Sequence, residues 1–123
     1  MTNPYQQDLD KNPANYQPLT PITYLERAAK TFPDHVAIIH GSQRIPYRTF
    51  WQRSLKLGSA LAKKGIGKGD TVTVMLSNTP PMLEAHFGVP MVKAVLHCLN
   101  TRLDAAGIAF QIDHAETKVL IVD

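Results

Sequence analysis

The sequence of 123 residues has very little that can be cross-linked, stacked or driven into a membrane. It holds a single cysteine, Cys98, which excludes an internal disulfide framework and fits a reducing compartment. No apolar run approaches the roughly 20 residues that a membrane-crossing helix needs. The opening stretch, Met1-Thr-Asn-Pro-Tyr-Gln-Gln-Asp-Leu-Asp10, lacks the basic start and apolar core of a secretory leader. What is present is 44% hydrophobic with a net charge of only +3, which excludes a wholly disordered chain. At this length roughly two thirds of the unfolded surface can be buried, enough for a real core. The expectation is a globular, cytoplasmic protein without a transmembrane segment.

Acidic residues are absent from one long stretch. Residues 44–68 carry Arg44, Arg48, Arg53, Lys56, Lys63, Lys64 and Lys68 and no carboxylate, a local +7 between flanks of −1 and −3. Much of this stretch has helical periodicity, from Thr49 to Lys64. At about 100° per residue, Trp51, Leu55, Gly58 and Ala62 fall together, flanked by Phe50, Leu57 and Leu61. Arg53, Lys56, Lys63 and Lys64 occupy the other side, where a solvated outer face is expected. A basic face can meet phosphate or anionic lipid. Phe50 and Trp51 turn toward the apolar side, so no exposed ring is available to stack on a base, and no nucleic-acid partner is expected.

Elsewhere the chain alternates short elements. Residues 1–19, rich in Asn, Gln, Pro, Tyr and Asp without period, read as a loose arm. Residues 20–123 read as one incomplete subdomain. Thr20-Pro21 starts a helix whose stripe is Tyr24, Leu25, Ala28, Ala29 and Phe32, and Pro33 ends it. Val36-Ala-Ile-Ile-His40 and Arg44-Ile-Pro-Tyr47 flank Gly41-Ser-Gln as a hairpin, with Pro46 at an edge. Gly65 caps the basic helix. Then follow a strand, Thr71 to Leu76; a helix, about Met82 to Met91; a strand, Val95 to Leu99; a helix, Ala105 to His114, capped by Asp104; and a strand, Lys118 to Val122. That alternation is the pattern of an α/β fold with parallel βαβ units, here preceded by a helix and a hairpin. Val119-Leu-Ile-Val122 has the composition of a central buried strand. Left at an edge, it would invite self-association.

Chemistry-bearing motifs are sparse. Gly65-Ile-Gly67-Lys68-Gly69-Asp70 lacks the Gly-Lys-Ser/Thr ending of a phosphate loop, and it runs from helix to strand, the reverse of such loops. His35, His40, His86, His97 and His114 show no zinc-ligand spacing. Cys98 lies in an apolar strand and reads as a buried, inert thiol. Asp104, Asp113 and Glu116 are the only clustered carboxylates, and Asp104 already has work as a cap. No Gly-x-Ser-x-Gly elbow occurs. The expectation is therefore no catalytic, cofactor-binding or metal-ligating residue in this chain.

Three stretches together carry a resemblance. They are Leu19-Thr-Pro-Ile-Thr-Tyr-Leu-Glu-Arg-Ala-Ala29, Gly67-Lys-Gly-Asp-Thr-Val-Thr-Val-Met-Leu-Ser-Asn78, and His86-Phe-Gly-Val-Pro-Met91 with Val95-Leu and Leu99-Asn-Thr-Arg-Leu-Asp104. Over residues 17–123 the chain resembles the N-terminal end of AMP-forming acyl-CoA synthetases of the adenylate-forming superfamily, the AMP-dependent synthetases and ligases. The fatty-acid and medium-chain acyl-activating branch is the most similar. The resemblance implies a fatty-acid or other carboxylate substrate, ATP with Mg, and CoA, joined through an acyl-adenylate by the full-length enzyme. The family's phosphate loop ending in Pro-Lys-Gly, its Thr-Glu magnesium motif, its ribose-binding Asp and its catalytic Lys have no match here. Two local departures stand out: Lys93 where a small residue, usually Gly, is common, and His97-Cys98 in place of Asn with Thr or Pro. The expectation is an inactive N-terminal fragment of a fatty-acid CoA ligase that binds none of these cofactors itself. The alternative is a stand-alone or split binding module that docks a separate catalytic half.

Overall fold

The computed structural model describes residues 3, 5 and 7–123, and residues 7–19 form neither helix nor strand. Helix α1 (Pro21–Thr31) begins at a reciprocal cap. Thr20 Oγ1 accepts from the Thr23 N–H at 3.2 Å, and Thr23 Oγ1 accepts from the Thr20 N–H at 3.0 Å. Two donors that the helix start leaves unpaired are thus satisfied. Leu25 and Ala29 are buried as expected, but Tyr24 and Phe32 on the same stripe are exposed.

Strands β1 (Val36–His40) and β2 (Gln43–Pro46) form the antiparallel hairpin. Gly41 turns it at φ +55°, a left-handed conformation that glycine adopts without strain. Pro46 pairs with Val36 at the hairpin's end and also precedes helix α2 (Tyr47–Lys63), so its missing N–H interrupts no ladder.

The inward face of α2 differs from the expected one. Phe50, Ser54, Gly58 and Leu61 are buried, whereas Leu55 is 44% exposed and Ala62 is also exposed. The buried stripe is turned about a quarter of the way round the helix, at about 100° per residue, from the Trp51–Leu55–Ala62 line. The cause is the neighbouring helix, α3 (Pro80–Met91). A Cβ on Gly58 would lie 3.2 Å from the Gly88 carbonyl oxygen, and one on Gly88 would lie 2.8 Å from Leu57 Cδ2. Two glycines let the helices approach closely, and that approach selects the face. Ser54, fully buried, donates to the Phe50 carbonyl at 2.9 Å.

After α2, Gly65 and Gly69 turn the chain at φ +81° and +86°. The Gly67 N–H donates to Asp70 Oδ2 at 2.8 Å, so this segment is a cap and turn. Strands β3 (Thr71–Met75), β4 (Val95–Cys98) and β5 (Thr117–Val122) form a parallel sheet in the order β4-β3-β5. The central position therefore belongs to β3, where Val72, Thr73 and Val74 are fully buried. Strand β5, expected in the middle, lies at an edge and alternates half-buried with exposed residues. Leu61, Ile66, Val72, Val89 and Ala94 form one core cluster under α2 and α3, and Val74, Leu76 and Ala85 form a second. Helix α4 (Ala105–His114) is capped by Asp104, whose Oδ1 accepts from the Gly107 N–H at 2.8 Å, but buries no residue. The two turns that enter β4 and β5 place Lys93 at φ +63° and Glu116 at φ +49°. Among the described residues no helix is long and apolar enough to cross a membrane.

Candidate functional site

Ligands of parallel α/β sheets bind beyond the C-terminal ends of the strands. Here the C-terminal end of β3 leads through Ser77 and Asn78 into α3, and an open groove of about 640 Å³ lies beside it. Ile38 and Ile39 of β1 form one wall, Leu83 and Phe87 of α3 the other, with His40 and His86 at the rim. The lining is mainly apolar, and the start of α3 adds no anion-binding function. Pro80 and Pro81 stand at its first positions and have no N–H. The next donors, Met82 and Leu83, both return to the Thr79 carbonyl, at 3.0 and 3.4 Å. The Thr79 hydroxyl donates to the Ser77 carbonyl at 3.3 Å and makes no cap. A helix start that could cradle phosphate has been stripped of its free amides.

His86 and Cys98 meet at the edge of this groove. His86 Nδ1 lies 2.8 Å from the Met82 carbonyl, so that nitrogen carries a proton and donates to it. Cys98 Sγ is 3.8 Å from Nε2. The expectation of a buried thiol is corrected here: Cys98 is exposed, at the last position of the edge strand β4, with its sulfur against His86 of α3. Partial burial still pushes its thiol above the usual cysteine value, which lowers the share of reactive thiolate.

Four polar contacts brace the surroundings. Arg53 Nε donates to Glu84 Oε1 at 2.5 Å and ties α2 to α3. Arg53 stays exposed, as expected of the outer face, yet reaches across to a buried carboxylate. Its hydrogen bond to Glu84, and then the carboxylate charge, raise the guanidinium pKa further. Thr73 Oγ1 lies 3.0 Å from His97 Nδ1 and 2.6 Å from Thr117 Oγ1, so one buried hydroxyl joins all three strands. The Ser77 N–H donates to Asp123 Oδ2 at 2.7 Å, and Ser77's hydrogen bonds hold that carboxyl below the usual aspartate range. Sequence reading missed Glu84, although a lone acid in an apolar helix was a readable signal for an ion pair.

Asp104, Asp113 and Glu116 are not gathered with histidines, and no group of three potential metal ligands occurs among the described residues. The turn at Gly65–Asp70 passes from α2 to β3, and the amides of Gly65, Ile66, Gly67, Gly69 and Asp70 donate to α2, to the turn itself or to the Lys93 carbonyl. These residues do not fit an ATP–Mg site, and no chemical step is assigned to them.

The parallel sheet with its helices is that of the adenylate-forming enzymes. Unliganded O-succinylbenzoate CoA synthetase from Bacillus subtilis superimposes with a TM-score of 0.76 at 25% identity, over 81% of this chain and 22% of that one. The NpsA N-terminal subdomain from Klebsiella oxytoca shares the fold, with a TM-score of 0.76 at 24% identity over 82% of this chain and 27% of that one. The sequence profile of the AMP-binding enzyme family matches residues 25–123, and the chain belongs to that family. Its relatives include the peroxisomal acetate/butyrate–CoA ligase AAE7 of Arabidopsis thaliana, 48% identical over 116 residues, and the peroxisomal benzoate–CoA ligase of the same plant, 44% identical over 116 residues. Each alignment covers 94% of this chain but 20% of the relative, so the chain spans about a fifth of their length.

Proposed function

We propose that these residues form the opening section of a carboxylate–CoA ligase acting on a fatty acid of medium length. The 48% identity over 116 residues to a protein named for acetate and butyrate ligation to CoA supports the ligase reading, and the longer acyl chain rests on the apolar groove. On this reading the section supplies scaffold: a braced sheet and an apolar groove. ATP, Mg and CoA are handled by parts of the enzyme outside it, and the chain alone makes no acyl-CoA. The apolar groove suits an uncharged portion of a substrate better than a phosphate. Cytoplasmic location is part of the proposal, although the names of both plant relatives place them in peroxisomes.

A chimera tests it. The chain replaces the corresponding section of the acetate/butyrate ligase, and acyl-CoA formation is followed with acetate, butyrate, octanoate and benzoate. A folded chimera that makes acyl-CoA, with octanoate preferred, is the expected result. A folded but inactive chimera, or thioester formation by the 123-residue chain alone, would overturn the proposal. A fluorescent fusion found in peroxisomes would overturn the location. The split-module reading is favoured by the outer edge of β5, which is unpaired among the described residues. Activity on simple mixing with the remaining ligase section would select it.

A further inference from the structure

We propose that the N-terminal end of the parallel sheet is a docking surface for an anionic phospholipid bilayer. The basic stretch read from the sequence divides in the fold. Arg48 pairs with Asp34 and Arg53 with Glu84, while Arg44 donates to the Gly41 and Gln43 carbonyls. Lys63, Lys64 and Lys68 are exposed and enter no ion pair among the described residues. They lie at the end of α2 and in the turn that enters β3. Lys93, exposed in the turn that enters β4, joins them: the Gly69 N–H donates to the Lys93 carbonyl at 3.2 Å, which sets the two turns side by side. One acid, Asp70, lies in these turns and accepts from the Gly67 N–H. Asp113 and Glu116 lead into β5, on the other side of β3 from Lys93.

The result is a surface on which lysines outnumber carboxylates, at the end of the sheet away from the groove, about 16 Å distant at about 3.3 Å per residue of β3. Its chemistry favours a diffuse planar polyanion. The four side chains are lysines, mobile point charges without the forked geometry that selects a single phosphate. None of them lines the groove beside β3. No exposed ring stands between them for base stacking, and Ile66, the apolar residue in their midst, is buried in the core. Contact is thus electrostatic, without insertion, and sensitive to salt.

The experiment is sedimentation of the purified full chain with vesicles of phosphatidylcholine alone, or of phosphatidylcholine and phosphatidylserine in equal parts. Binding is expected to the anionic vesicles at low salt and to fall as NaCl rises. Each lysine neutralised should lower the partition constant about fivefold. Lys63→Gln, Lys64→Gln, Lys68→Gln and Lys93→Gln combined should therefore abolish sedimentation. A charge-matched variant, Lys11→Gln, Arg27→Gln, Lys30→Gln and Arg102→Gln, should retain most of it. Circular dichroism confirms the fold of each, and Lys63→Gln with Lys64→Gln alone, expected to weaken binding about 25-fold, serves if the fourfold change unfolds the chain. No binding to anionic vesicles, equal binding to neutral ones, equal loss in both fourfold variants, or preference for an oligonucleotide would overturn the proposal.

Discussion

Gly88 stands so close to Leu57 that a methyl group on it would meet Leu57 Cβ at 2.9 Å and Cδ2 at 2.8 Å. The seam between α2 and α3 is therefore closed to any side chain at this position. Gly88→Ala is expected to destabilise by about 1–3 kcal/mol through overpacking. Gly58→Ala, whose new Cβ would lie 3.2 Å from a carbonyl oxygen, should lose less. Urea unfolding midpoints of the two variants check the order, and a neutral Gly88→Ala would refute the close seam.

Arg53 and Glu84 should respond asymmetrically to substitution. Glu84 is 7% exposed, whereas the Arg53 side chain is half in solvent. Arg53→Met leaves a buried carboxylate without its partner, while Glu84→Gln leaves an arginine that water can solvate. Solvent screening reduces the pair's worth, so Arg53→Met should destabilise by about 1–3 kcal/mol and Glu84→Gln by less. Denaturation of both variants at neutral pH decides it.

Cys98 should be a slow nucleophile despite its exposure. Burial raises its thiol pKa, and only the thiolate attacks alkylating agents. Iodoacetamide should modify it more slowly than free cysteine at mildly alkaline pH, with the rate rising at higher pH than for the free amino acid. The sign of the linkage follows: a raised folded-state pKa gives stability that is lost as pH climbs through it. A rate at or above that of free cysteine would contradict this environment.

The link between Ser77 and Asp123 should fail in acid. Asp123 has a lowered folded-state pKa, so its contribution is present above the ordinary aspartate range and lost as pH falls through the lowered value. The Ser77 amide proton resonance should shift over that interval, and Asp123→Asn should remove the shift.

Lys93→Gly is expected to stabilise the chain by about 1 kcal/mol, since Lys93 holds φ +63° where a side chain is strained. The same change should weaken binding to anionic vesicles. Thermal unfolding and sedimentation would move in opposite directions.

Local chemistry made some elements legible in advance. Thr20-Pro21 located the start of α1, and Asp104 located that of α4, because a cap is satisfied within one turn. Lys93, noted as a departure from a usual glycine, does occupy a left-handed position. The face of α2 was not legible. Trp51, Leu55 and Ala62 form a stripe as apolar as Phe50, Leu57 and Leu61, and the choice is made by Gly88 on another helix. Cys98 was misread for a related reason. Whether a strand is central or at an edge depends on sheet order, which apolar composition does not encode. The groove escaped notice because β1 and α3 build it from segments far apart in the chain.

The hydroxyl of Thr73 has a consequence for how the sheet assembles. It satisfies itself on β4 through His97 and on β5 through Thr117, within a strand that offers it no water. A slip of either outer strand by a single residue reverses which side chains face it and costs the buried hydroxyl one of its two partners. One oxygen thus proofreads two neighbours at once, rejecting misaligned sheets that hydrophobic contact alone would accept.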